Sequence, residues 1–173
     1  QQVRLLRLTG ADDLAEAVES LPLDDHEKGL PFGPPDEWIA CGREFACGTT
    51  LVRSTATPGH TRGHVVYEVV DDGLLLTGDH LLPRITPSLG FERTPEQSPL
   101  TSFLTSLEMF TDRADLQMLP AHGDTSGRVD VRARELLEHH QMRLALIRDA
   151  VGAGHDSAYP IATGTRWTPR APH

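Results

Sequence analysis

Residues 57–80, TPGHTRGHVVYEVVDDGLLLTGDH, gather three histidines and Asp79 around two short apolar runs, with the pair Asp71-Asp72 in the turn between them. His60 and His64 sit in a turn rich in Pro and Gly, and Asp79 and His80 close the second run. A further segment, PAHGD at 120–124, adds His122. Imidazoles together with a carboxylate are the donor set that zinc or a similar divalent ion takes. Each of these loops carries a His or Asp next to a glycine or proline. Glycine lets the backbone turn tightly, so a side chain there projects from the end of a strand. The plainer uses are a turn histidine and a carboxylate that caps a neighbouring backbone group.

The elements that must position these loops are legible from pattern. REFACG and TTLVRSTAT predict two short strands, and HVVYEVV and GLLLTG predict two more, joined by a hairpin turn at DDG. Ser98-Pro99 predicts a helix start, with Ser as N-cap and Pro at the first helical position. Leu100, Phe103, Leu104, Leu107 and Phe110 give that helix an apolar stripe. LQML (116–119) predicts a buried strand. Residues 128–151 predict the longest helix, with Ala133, Leu137, His140, Leu144, Ile147 and Val151 on one face and glycines after it. A helix is also predicted over 11–21, with Leu14, Ala17, Val18 and Leu21 on its apolar face, and a short one in SAYPIATG. Residues 22–37 read as an acidic surface connection anchored by Phe32 and Trp38. The order is strands, helix, strand, helix, which predicts an α/β (α+β) layer of one sheet against helices.

Composition narrows the functions. The net charge of −9 argues against a general polyanion binder and counts against nucleic acid as a partner. The charge is uneven: residues 1–40 carry three basic and nine acidic side chains, while 126–173 carry seven arginines and five acids. That tail reads as a solvated helix face. No apolar run is long enough to span a bilayer, and QQVRLLRLTG has no signal-peptide hydrophobic core. Cys41 and Cys47 stand six apart with no second pair, so they are expected as buried free thiols, which suits a cytoplasmic location.

PGHT, GDH and AHG, in that order, resemble the second half of the metallo-β-lactamase fold superfamily over roughly residues 41–151. PGHTxGH followed by GDH is the specific part of the match. The resemblance implies a four-layer αβ/βα sandwich with a two-metal site at one edge of its sheets. It implies that His60 binds the first metal, that Asp79 bridges both, that His122 binds the second, and that His64 supports them from behind. It also implies metal-assisted hydrolysis, in which hydroxide attacks an ester, thioester, lactam or phosphodiester. Zinc is the expected metal, with iron or manganese as alternatives.

One part of the pattern is missing. The first half of that fold carries HxHxDH, which supplies two histidines to the first metal and an Asp and a His to the second. The nearest match is LPLDDH at 21–26, with leucines where two histidines belong, and it is read as coincidence. Three ligands shared by two metals complete neither site. The chain is therefore expected to be the C-terminal portion of a metallo-hydrolase, divided into a helix with an acidic connection (1–40), the half-sandwich (41–125) and a helical segment (126–173). Alone it is expected to hold no complete catalytic set and to be inactive. A half-sandwich exposes an apolar sheet face, so self-association or a retained N-terminal half is expected. The alternative is a non-catalytic structural or dimerisation module with a degenerate metal site. A small-molecule substrate is expected for the parent.

His80 is left facing either substrate or solvent, and Arg84 is read equally as bordering the substrate entrance or as a solvated loop residue. His139 and His140, being adjacent on a helix, point about 100° apart and so do not form a metal pair. His140 is expected in the core, and His26, His155 and His173 at the surface.

Overall fold

The alternating stretches between residues 44 and 78 form four strands, in a computed structural model that describes residues 2–20, 33, 36–90, 92 and 95–165. They are β1 (Glu44–Cys47), β2 (Thr50–Ala56), β3 (Val65–Val69) and β4 (Leu74–Gly78). Each pairs antiparallel with the next, and β5 (Gln117–Pro120) adds in parallel beside β4. The result is a five-stranded sheet in the order β1-β2-β3-β4-β5. The predicted tight turn at Asp71-Asp72-Gly73 is instead a short 3-10 turn over Val70–Asp72, closed by Gly73.

Strand direction decides where the functional loops lie. β3 runs against both β2 and β4, so β2 and β4 run the same way, and β5 is parallel to β4. The loops that follow β2, β4 and β5 therefore all open at one edge of the sheet. Those are the loops that carry His60, Asp79 and His122.

One face of the sheet is covered. Val66, Leu75 and Met118 point from it into a core shared with α3 (Pro99–Glu108) and α4 (Val129–Gly152). Phe103 and Leu107 of α3, and Ala133 and Leu136 of α4, are fully buried there. Burying each large apolar side chain contributes about 1.5–3 kcal/mol. Glu68 also lies on this face, where a bare carboxylate would be costly. Arg113 bonds it at 2.7 Å and Arg53 at 3.1 Å, so its charge is compensated on both oxygens. The other face pairs Tyr67, Leu76 and Leu119 in register, and Leu76 is 44 % exposed.

The described chain falls into two units, residues 1–34 with 141–173 and residues 35–140; the sheet belongs to the second. The first contains α1 (Gln2–Leu8), which no sequence pattern announces, α2 (Asp12–Ser20) and α5 (Ala158–Gly164). The Ser157 hydroxyl and the Tyr159 N–H both donate to the Thr9 carbonyl, at 2.6 and 3.0 Å.

Several expectations are corrected. Ala11 and Ala15 form the buried edge around α2, while Leu14 and Ala17 are exposed, because alanine allows the closer approach. On α4 the buried stripe ends at Leu136, and Leu144, Ile147 and Val151 are exposed. Cys41 and Cys47 are exposed, since both lie at the β1 edge of the sheet. Trp38 is also exposed. Phe32, His26, His173 and the segment LPLDDH lie outside the described residues.

Candidate metal centre

His60, Asp79 and His122 come from three loops well separated along the chain, and the shared sheet edge brings them together. The Asp79 carboxylate lies between the two imidazoles. Its Oδ2 is 3.7 Å from His60 Nε2, and its Oδ1 is 3.4 Å from His122 Nε2. His60 Nδ1 lies 2.7 Å from the Ser88 carbonyl, an acceptor, so that nitrogen carries the proton. In the neutral ring Nε2 then presents a lone pair toward a carboxylate oxygen that also carries only lone pairs. Two acceptors facing each other leave room for a cation between them, a metal ion or a proton on Nε2. The donor set thus fits a divalent ion by type, and at His60 by orientation as well.

It does not fit by number. Among the described residues no group of three His, Cys, Asp or Glu side chains converges on one point. Asp79 pairs with His60 on one side and with His122 on the other, so each position receives two donors from the described residues. A catalytic zinc usually takes three.

His64 supports Asp79 from behind, through the backbone. The Asp79 N–H donates to His64 Nε2 at 3.2 Å, which makes Nε2 an acceptor. Nδ1 must then carry the proton, and it donates to Thr57 Oγ1 at 2.7 Å. Burial, helped by the nearby His60, pushes the His64 pKa down and favours this neutral form. Gly78 makes the contact possible. It adopts φ +52°, and a Cβ there would stand 2.8 Å from His64 Nε2.

His80 faces neither substrate nor solvent. It is fully buried between His64, Phe103 and Phe110, with ring centroids 6.0, 5.2 and 5.8 Å away. No hydrogen bond of normal geometry reaches either ring nitrogen among the described residues, and the nearby Ser106 backbone offsets little of the burial. Burial pushes its pKa down to about 3, with His64 adding to the effect. Strand alternation assigns it no face, because it lies two residues past the end of β4. His140 is half-buried and packs edge-on to Phe103, 5.6 Å away. His155 is exposed. Arg84 is largely solvated, reaches Asp124 at 3.4 Å, and borders a shallow groove with Arg132 beside the His122 loop.

The pattern reading missed three residues. Thr57, Ser88 and Glu92 all touch the candidate ligands or their loop. Nothing in TPSLGFER marks its role, because its partners lie about thirty positions earlier in the chain.

The family model of the metallo-beta-lactamase superfamily matches residues 5–122. The chain belongs to that superfamily. The match begins well before residue 41, where the motif resemblance started. A solved structure of a metallo-beta-lactamase family protein from Thermus thermophilus superposes with a TM-score of 0.72 at 29 % identity, covering 92 % of this chain and 50 % of that one. A beta-lactamase domain protein from Burkholderia ambifaria superposes with a TM-score of 0.66 at 28 % identity, covering 86 % and 47 %. A lactamase-like protein of Neosartorya fischeri is 30 % identical over 106 residues, which is 61 % of this chain and 30 % of that protein. A hydroxyacylglutathione hydrolase of Brucella anthropi is 41 % identical over 68 residues, 39 % of this chain and 24 % of that enzyme. The chain thus spans at most about half the length of these relatives. The mixed α/β architecture, a five-stranded sheet with C-terminal helices among the described residues, matches about half of the superfamily structure from Thermus thermophilus. No described helix is long and apolar enough to cross a membrane.

Proposed function

We propose that this chain is the C-terminal portion of a metal-dependent hydrolase, and that His60, Asp79 and His122 are its contribution to a two-metal site. The observation that carries this reading is the Asp79 carboxylate with one oxygen toward each imidazole, at 3.7 and 3.4 Å. Asp79 would bridge, His60 would serve one ion and His122 the other. The remaining donors would come from the other half of the fold. Bound divalent ions, zinc first among the candidates, would acidify water and polarise the group under attack. The chain's own residues hold that arrangement: His64 fixes the Asp79 backbone, and the Ser88 carbonyl fixes the His60 tautomer.

The proposed substrate class is a small ester or thioester. It is supported by the local identity to a hydroxyacylglutathione hydrolase and by the acidic balance, which disfavours nucleic acid. Elemental analysis after dialysis against metal-free buffer tests the site. This chain alone should retain far less than one ion. A longer protein that includes the upstream half should retain close to two, and Asp79→Ala there should weaken metal binding by more than about a hundredfold. Full metal content in the Asp79→Ala protein would sink the assignment.

The partner reading rests on the sheet face that carries Tyr67, Leu76 and Leu119. Leu76 is exposed there and Tyr67 and Leu119 are half-buried, and an apolar face open to solvent favours association. Sedimentation of the lone chain should show self-association that disappears when the upstream half is co-expressed. A monodisperse monomer would count against it.

A further inference from the structure

Residues 88, 90 and 92 touch the His60 turn at three successive points. The Ser88 carbonyl accepts from His60 Nδ1 at 2.7 Å. The Gly90 N–H donates to the Gly59 carbonyl at 2.9 Å. The Glu92 carboxylate accepts from the Arg62 N–H at 2.7 Å and from Arg62 Nε at 3.4 Å. The first two contacts use backbone atoms of the segment. Only Glu92 contributes a side chain, and it is the outer end of the clasp.

We propose that Glu92 is a positioning residue: by fastening the backbone at Arg62, it keeps the His60 ring seated on the Ser88 carbonyl with Nε2 turned toward Asp79. The physical case is local. The turn over 57–64 is rich in glycine and therefore loses much backbone freedom on ordering. Its start is held by the Ser106 hydroxyl, which donates to the Pro58 carbonyl at 3.0 Å. Its end is held by the Thr57–His64 backbone bond at 2.8 Å. Between these points the turn packs on Phe103 at Gly59, and its hydrogen bonds to other described segments run to residues 88–92. A hydrogen bond from a backbone N–H to an ionised carboxylate is among the stronger single ties available. The Glu92 side chain is 21 % exposed, and Arg62, its partner, is exposed. With the tie cut, the ring can leave Ser88 and take the other tautomer, which puts a proton on the nitrogen that faces Asp79.

The inference rests on the metal reading only for its consequence, and its primary test needs no metal. Nitrogen-15 shifts of the His60 ring are recorded in the metal-free chain at a pH of about 8.5, where imidazoles are neutral. The unmodified chain should show His60 protonated at Nδ1. Glu92→Ala should give averaged shifts that report a mixture of tautomers. Glu92→Gln keeps an acceptor for the Arg62 N–H and should keep the Nδ1 tautomer. Arg62→Ala removes only the longer side-chain bond and should do the same. A Glu92→Ala spectrum with His60 unchanged would overturn the proposal, as would one in which the ring signals of His64 change to the same degree, because that reports general loosening. Zinc titration of the same samples separates the two readings. If zinc perturbs His60 and Asp79 while Glu92→Ala leaves the tautomer alone, the metal site stands and the clasp fails. If the tautomer responds and zinc perturbs neither residue even with the upstream half present, the clasp stands and the metal site fails. With both intact, Glu92→Ala should weaken zinc binding on the order of tenfold.

Discussion

Gly59→Ala should destabilise the protein by about 4 kcal/mol, the sum expected from backbone strain and overpacking. Gly59 has φ +137°, a conformation that L side chains rarely adopt. A Cβ there would also lie 2.5 Å from Phe103 Cβ and 2.7 Å from Phe103 Cα. The second contact is with the backbone of α3, so no rotamer change relieves it. The turn and the helix would have to part, and Phe103, which is fully buried, would lose its seat. Urea denaturation measures the loss directly. Gly63→Ala is the control four residues along. It has no neighbour within 4 Å and no positive φ, so its effect should stay within about 0.5 kcal/mol. Equal midpoints for the two variants would show that the PGHT turn does not lean on α3.

Lowering the pH from 7 to 5 should weaken the metal-free chain by about 2 kcal/mol through His80 alone. Its folded pKa, about 3, is far below that of a free histidine. Between those two values the unfolded chain binds a proton that the folded chain refuses. Stability is therefore full above the free-histidine pKa, and it falls as the pH drops toward the folded pKa. Burial is the main cause, and His64, also pushed down by burial, adds in the same direction. Carboxylates contribute to acid unfolding as well, so His80→Leu isolates the histidine. The variant removes the titrating ring and replaces it with an apolar side chain suited to a site bounded by Phe103 and Phe110. Its stability should drop less than that of the parent chain between pH 7 and pH 5. Parallel losses in both proteins would rule out His80 as a source of the acid sensitivity.

The burial of His80 also marks the limit of pattern reading. Alternation along VVYEV and LLLTG assigns faces while the strand lasts, and Val66, Leu75 and Met118 fall on the covered side as their period implies. The strand ends at Gly78, and the next two residues obey the turn. Asp79 comes out at the edge and His80 goes into the core, a difference that no local periodicity encodes. On α4 the apolar spacing continues past His140, yet burial stops at Leu136, because a helix face is covered only as far as something packs on it.

Local pattern was enough for the five strands and for the helices other than α1, for the superfamily and for the identity of the loops that bear His60, Asp79 and His122. The signals are the period of apolar residues, the glycines and prolines that end strands, and short motifs in a set order. What joins those loops is a matter of how the chain closes. The parallel pairing of β4 with β5, across a connection that contains α3, brings His122 to Asp79. The tautomers of His60 and His64 follow from partners 28 and 7 residues away. The burial of His80 and the exposure of Cys41 and Cys47 follow from what packs on them. Contacts between distant segments come from a free-energy balance over the entire core, and no short window of residues contains that balance.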